Sequence, residues 1–367
     1  MPVEWLQSLA DPNPQPVRCL SICPALRYVA SGGDDEVSVR DIVNSQDVPN
    51  VMQTGSAVLC ISWLLTAVHG WAIVCGLENG KLLTLAYNKE SSAVEVDSCK
   101  VHNSGVNALS PYLHGHRIVT GGKSDGCSLW IDRGRHAEDR WKKSFDILKP
   151  VNGKFPPILR IELISARSNL LIAFKSGIIM CFGLDEDVFL WEINLKSPIA
   201  ALAISLESES LHLAFIGRNN ELRYHRSDRV ESRQELKTCL ISIRDERLEG
   251  PIAFLSHELL LLGNQEKRNS SVLNLATGTV VEHLNHEAVT TLAGGHVHAV
   301  ATRRDVKSST THMVDIARLD GTNIMRSWIC RPIRFRPHQH TSSSPLFTEL
   351  EEAEYSIPDA EQSTPHA

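Results

Sequence analysis

The chain has 367 residues, 42% of them hydrophobic and 22% charged, with 22 Gly and 17 Pro. This composition excludes a disulfide-stapled miniprotein, a collagen and a wholly disordered chain, and the length suffices for one large domain or two ordinary ones. The net charge of −6 belongs to the end of the chain: residues 341–367 hold six acids and no Lys or Arg, leaving 37 basic against 37 acidic residues in 1–340 and so no broad basic field for nucleic-acid backbones.

The N-terminal lead, 1–16, carries acids and prolines where a secretory signal needs a positive start and an apolar run. Within it, Val3 to Leu9 alternates well enough to supply a strand. The nine cysteines, at 19, 23, 60, 75, 99, 127, 181, 239 and 330, are dispersed, with no Cys-x-x-Cys pair, so reduced thiols and a cytoplasmic or nuclear location are expected. The glycosylation sequon Asn269-Ser270-Ser271 is then a pattern without use.

From Val17 onward one pattern recurs: an apolar residue, two others, another apolar residue, and often a third two places later. It reads Val17/Leu20/Ile22, Val58/Ile61/Trp63, Val106/Leu109, Ile158/Ile161/Leu163, Ile199/Leu202/Ile204 and Val289/Leu292, with a weaker copy at Ile252–Leu255. Six intervals cover 272 residues, a mean near 45, with single spacings from 37 to 53. Each start precedes a second apolar run, such as Tyr28–Gly32, Ala72–Gly76, Ile118–Gly121, Leu213–Gly217, Leu259–Gly263 and Ala299–Ala301. A turn rich in Gly, Asn, Asp or Ser follows, as in Glu78-Asn79-Gly80 or Ser124-Asp125-Gly126, and then a third strand. Short strands, regular turns and a period in the forties predict an all-β chain with a single β-propeller over 17–330. Seven blades of four-stranded antiparallel sheet are expected, with six and eight as alternatives.

Ser56 to Leu77 has no charged residue over 22 positions, long enough to cross a bilayer. The repeat assigns it instead to two buried strands joined at Val68-His69-Gly70.

Two blades are more specific. The third runs His102-Asn103-Ser104-Gly105-Val106, Val119-Thr120-Gly121-Gly122, Asp125 and Leu129-Trp130; the first runs Val29–Asp35 and closes on Arg40-Asp41. This resembles the WD-repeat family of β-propellers, whose structural tetrad maps by resemblance onto His102, Thr120, Asp125 and Trp130. A buried His and a Trp N–H need partners, which a hydroxyl and a carboxylate supply. The first blade keeps Ser31 and Asp35 but has Arg40 in place of Trp. The seventh keeps His286, and blades four to six match by hydrophobic rhythm alone. The family closes its ring by pairing the two chain ends. Val3–Leu9 and Ile324–Ile329 compete for the outer strand of the last blade.

Other patterns carry less. Gly121-Gly122-Lys123-Ser124 lacks the earlier Gly of a phosphate-binding loop, because Arg117 stands there, so it reads as a blade turn. His114/His116, His296/His298 and His338/His340 are His-x-His pairs without a third ligand, so no metal site and no cofactor are expected. No nucleophile elbow or His-Glu-x-x-His occurs, and no enzyme is expected. Residues 218–249 hold eight Lys/Arg and seven acids, a solvated outer face or else a charged docking edge.

The resemblance implies a non-catalytic scaffold or adaptor. Its partners would be proteins or peptides, in a hetero-complex and off the membrane, held where the second-to-third-strand turns and the inter-blade connections meet. Candidate contacts there are Asp34, Glu36, Asn79, Lys123, Ser124, Asn219, Asn220, Lys267, Arg268, Arg303 and Arg304. The alternative is a regulatory subunit of an RNA-modifying or protein-modifying enzyme, touching nucleic acid through 303–340, which holds eight Lys/Arg and three acids. A propeller enzyme or a membrane-tethered protein is a third reading. The basic segment 331–340 leads into a tail, 341–367, expected to be disordered; its acids are interleaved with Leu346, Phe347, Leu350, Tyr355 and Ile357, and Ser344-Pro345 and Thr364-Pro365 are candidate phosphorylation sites.

Overall fold

The computed structural model describes residues 3–11, 16–43, 50–66, 70–86, 94–112, 116–133, 140–148, 155–164, 168–185, 188–207, 210–217, 221–227, 237–241, 250–263, 269–285, 296–304, 310–319 and 322–330; the basic segment and the acidic tail lie outside them. Among the described residues every element is a strand, and the strands form seven four-stranded antiparallel sheets. The first holds β2 (Cys19–Ile22), β3 (Tyr28–Gly32), β4 (Glu36–Asp41) and β5 (Asn50–Gln53). The second holds β6 (Val58–Thr66), β7 (Gly70–Leu77), β8 (Lys81–Ala86) and β9 (Val94–Lys100). The third holds β10 (Val106–Pro111), β11 (Arg117–Gly122), β12 (Cys127–Asp132) and β13 (Trp141–Leu148). The fourth holds β14 (Ile158–Ile164), β15 (Asn169–Phe174), β16 (Ile178–Gly183) and β17 (Val188–Asn194). The fifth holds β18 (Ile199–Glu207), β19 (Ser210–Gly217), β20 (Leu222–Ser227) and β21 (Lys237–Ile241). The sixth holds β22 (Ile252–Ser256), β23 (Leu259–Gly263), β24 (Asn269–Asn274) and β25 (Thr279–Asn285). The seventh combines β26 (His296–Arg304), β27 (Thr311–Leu319) and β28 (Thr322–Cys330) with the N-terminal strand β1 (Val3–Asp11).

First strands touch in sequence, β2 to β6 and onward to β26, and β26 touches β2, so the sheets are the blades of a closed seven-bladed propeller. The closure joins the two chain ends. β1 pairs with β28 from Val3↔Cys330 to Asp11↔Asn323 and covers an edge that would otherwise expose a row of unpaired backbone groups. Of the two candidates for that outer place, Val3–Leu9 holds it, and Ile324–Ile329 lies in the third strand beside it.

Burial peaks in the second strands, which are buried over most of their length, as in β15 and in β7 from Ala72 to Leu77, because neighbouring sheets cover both faces. Outer strands such as β13 and β17 have exposed stretches. Among the described residues the buried apolar side chains form seven clusters, one at each junction between consecutive blades. The charge-free stretch Ser56–Leu77 belongs to this packing: β6 and β7 pair from Val58↔Leu77 to Thr66↔Gly70, and no described helix is long and apolar enough to cross a membrane.

Five blades start on the residue that the repeat marks: Val58, Val106, Ile158, Ile199 and Ile252. The seventh is shifted. Ala299–Ala301 was expected in the second strand, but it lies in the first, β26, while Val289 and Leu292 fall outside the described residues. The cause is local composition. The true second strand, Thr311–Leu319, carries a buried Asp315 and reads as half polar, so the shorter apolar run before it took its place.

Two predictions follow from this packing. A Cβ on Gly76 would lie 2.5 Å from Cys60 Sγ and 2.7 Å from Val106 Cγ1, whereas one on Gly217 would meet nothing nearer than 3.3 Å. Gly76→Ala should therefore cost about 1–3 kcal/mol in urea unfolding, and Gly217→Ala much less. His225, 7% exposed and stacked 5.3 Å from Phe215, has its pKa pushed down to about 4 by burial, with Arg223 adding to the effect. Its folded value lies below its unfolded one, so its contribution is present above the unfolded pKa and is lost as the pH falls below it. Between pH 7 and 5 the loss should be about 2 kcal/mol, and His225→Phe should flatten that part of the stability–pH curve.

Candidate functional site

The third blade assembles the four residues that the sequence singled out. His102 precedes β10, Thr120 lies in β11 and is fully buried, Trp130 lies in β12, and Asp125 sits in the turn between them. Trp130 Nε1 donates to Thr120 Oγ1 at 2.9 Å, and Thr120 Oγ1 is 2.9 Å from His102 Nε2. The Trp N–H can only donate, so the hydroxyl accepts from it and gives its own hydrogen to His102 Nε2. The imidazole proton is thereby assigned to Nδ1, which faces Asp125 Oδ2 at 3.3 Å.

Asp125 is the hub. Its Oδ2 accepts from the N–H of Asn103 at 2.6 Å and of Ser104 at 3.4 Å, and its Oδ1 accepts from the Ser104 hydroxyl. Burial works against its charge, but Ser104, Asn103 and His102 outweigh that and hold its pKa below the ordinary carboxylate value. Burial lowers the His102 pKa against the opposing pull of Asp125. Both groups therefore stabilise the fold near neutral pH and lose that contribution as pH falls. Gly122 makes room, since a Cβ there would lie 2.5 Å from Asp125 Oδ1 and 2.8 Å from His102 Nδ1. The resemblance did not mark Ser104 or Gly122, although both stand in the quoted motif.

The first blade departs from this arrangement as its sequence does. Arg40, opposite Val29, takes the register position that Trp130 holds opposite Ile118, and it is buried. Asp41 beside it accepts from Arg27 Nε at 2.8 Å and from the Val43 N–H at 2.9 Å.

Asp125 also belongs to the face where the second-to-third-strand turns meet the inter-blade connections. Asp34 is bridged there to Arg18 at 2.5 Å, and Glu36 accepts from Gln53 Nε2 at 3.4 Å. Asn79 Oδ1 accepts from the Lys81 N–H at 3.0 Å, and its carbonyl accepts from Lys100 Nζ. Lys123 is exposed, and Ser124 accepts at its carbonyl from the Phe155 N–H at 3.0 Å. Asn219, Asn220, Lys267 and Arg268 lie outside the described residues.

Arg303 and Arg304 require correction. They end β26, a first strand, and so stand at the opposite end of the ring, where the Arg303 charge acts on Cys23 beyond the end of β2. They were placed on the loop face because the second strand of the seventh blade was read one strand too early. Sequence reasoning also missed Lys81, Lys100, Lys175 and Lys196, which are exposed on the loop face; their only sequence signal is a Lys beside each turn.

Gly121–Ser124 joins two strands, without the strand–loop–helix setting of a phosphate-binding loop. Among the described residues no three His, Cys, Asp or Glu gather as a metal-holding group. Burial raises the thiol pKa of Cys19 to about 12 and of Cys330 to about 11, so these thiols stay protonated near neutral pH.

No family model matches the chain, and no curated protein matches it.

Removing the hub should expose the network as a unit. Asp125→Ala leaves buried donors without a partner and should lower stability by about 1–3 kcal/mol in thermal or urea unfolding; an unchanged transition would show that His102, Thr120 and Trp130 do not depend on it.

Proposed function

We propose that the chain is a divergent WD-repeat-type propeller and serves as a non-catalytic protein-interaction scaffold, holding its partner on the loop face. The type is supported by the third-blade tetrad and by the closure of the ring with the N-terminal strand. The interaction role rests on one observation above others: the loop face is cross-tied by backbone hydrogen bonds. The Val101 and His102 N–H groups donate to Gly80 O at 3.0 and 3.1 Å, Lys123 to Gly105 at 2.8 Å, Phe155 to Ser124 at 3.0 Å, and Lys175 to Pro157 at 2.9 Å. Each turn is thus fastened to the adjoining connection, so little ordering entropy is lost when a partner settles on the face. A place as one subunit of a hetero-complex accords with such a surface.

The test is affinity capture of the full chain from its native source after nuclease treatment. A stoichiometric protein partner is expected. It should be lost with Asn103→Trp or Ser176→Trp, both exposed on the loop face, and kept with Arg133→Trp at the other end. No partner would overturn the scaffold reading, and loss only with Arg133→Trp would overturn the choice of face.

A further inference from the structure

The loop face is not uniform in charge. Over the second, third and fourth blades it presents Lys81, Lys100, Lys123, Lys175 and Lys196, all exposed. Among the described residues of the turns and connections at this end of those blades, the acids are Glu78 and Asp125, and Asp125 is engaged with His102, Asn103 and Ser104. The partly described connection 149–157 contains no Asp or Glu in its sequence. At the opposite end of the same blades, the connections 67–69, 87–93, 112–116, 133–140, 165–168 and 184–187 hold five Lys or Arg and six Asp or Glu. One end of this sector therefore presents five exposed lysines against one exposed acid, Glu78, while the other is mixed.

The lysines are also fixed in place at their backbones. The Lys81 N–H is held by the Asn79 side chain, Lys123 by Gly105, and Lys175 by Pro157, whose neighbour Phe155 is tied to Ser124. The Lys175 carbonyl accepts from the Ile199 N–H at 3.1 Å, and the Gly177 carbonyl accepts from Leu195 at 2.9 Å. Gly80, Gly126 and Gly177 take φ of +81, +88 and +100°, and a Cβ at any of them would come within 2.2 Å of a backbone oxygen of the next connection or, for Gly126, of Leu148 at the end of β13. Turn and connection are thus in close contact in three successive blades, and the lysines form a row on a stiff base.

We propose that the loop face of blades two to four is the docking surface for an acidic peptide segment of a partner protein, with Lys81, Lys123 and Lys175 supplying the charge that selects it. This rests on the loop-face reading above. A row of lysines gives separate point charges suited to scattered carboxylates, whereas phosphate recognition favours the two-pronged guanidinium, and none of these turns carries an Arg. Base-stacking surfaces are also missing from the described part of this sector: its aromatic ring, Phe155, is half-buried and stacked on Phe174 with centroids 5.9 Å apart. Both features favour a peptide over a nucleic acid.

The probe is a fluorescein-labelled peptide of about fifteen residues made of Glu interspersed with Leu, titrated with the purified full chain and read by anisotropy. Binding should weaken about tenfold in the Lys81→Glu/Lys123→Glu/Lys175→Glu variant and should fall as salt rises from about 0.05 to 0.3 M. Arg133→Glu, at the other end, should bind as the wild type does. If the triple variant does not show the wild-type unfolding transition, Lys123→Glu and Lys175→Glu are measured singly, each with an expected weakening of about two- to threefold. Equal binding by wild type and variants overturns the proposal. So does tighter binding of a uridine oligonucleotide lost in the same variants, which would make the occupant a nucleic acid. Capture of one native partner equally by wild type and triple variant would remove the acidic-peptide assignment and leave the scaffold standing, whereas the absence of any partner would remove the scaffold itself.

Discussion

The ring depends on a close approach, at four of its seven junctions, between the end of a second strand and the start of the next blade. Gly32 faces Val58, Gly76 faces Val106, Gly121 faces Ile158, and Gly263 faces Val297, each so near that an added Cβ would lie 2.6–2.9 Å from the facing side chain. The approaching residue belongs to a first strand, so the contact fixes how far one inner strand stands from the next. A larger residue at the glycine would push the junction apart, and a closed ring has no free end to absorb the change. Four of the seven junctions, between blades one and two, two and three, three and four, and six and seven, are built around these approaches, and β1 on β28 completes the last blade.

Apolar geometry repeats around the ring, but the means of satisfying buried polar groups does not. The third blade uses Trp130, Thr120, His102 and Asp125. Between the second and third blades, Trp141 Nε1 donates to the buried hydroxyl of Thr84 at 3.0 Å. Between the first and second, Trp63 Nε1 donates to the Ser21 carbonyl at 3.0 Å. Between the sixth and seventh, the Ser270 hydroxyl donates to Asp315 Oδ2 at 2.7 Å, and Asp315 stands opposite Arg326; all three are buried. The physical demand, a partner for every buried donor, is the same in each case and several residue sets meet it. This is why the hydrophobic rhythm survives where the tetrad has gone.

That difference also explains what could be read beforehand. First-strand starts such as Val58, Val106 and Ile158 were legible because an inner strand needs apolar residues at set places. The tetrad was legible because its four members occur together in one stretch. The seventh blade was misread because its second and third strands carry Thr311, Asp315 and Arg326 inside, and an apolar count gives no weight to buried polar residues. A better signal was present in the sequence Asp320-Gly321, a dipeptide favoured in two-residue hairpins, between the paired Leu319 and Thr322. The lysine row was invisible for another reason: its members lie far apart in sequence, and only strand order shows that they share one end of the ring.

The same strand ends that carry the close-approach glycines lead directly into the turns that carry the charges. Gly76 precedes Glu78–Lys81, and Gly121 precedes Lys123, so the junction that sets the blade spacing also sets the spacing of the face. In the first blade that face bears Asp34 bridged to Arg18, together with Asp35 and Glu36; over the next three it bears five exposed lysines and the acid Glu78. A ligand with one sign of charge meets attraction over one sector and repulsion over its neighbour. For the proposed partner, such a field would limit the orientations in which it lands and discriminate against others before any close contact forms. If the proposed acidic segment docks there, its selection rests on that placement of charge, which the close approaches at Gly76 and Gly121 help to set.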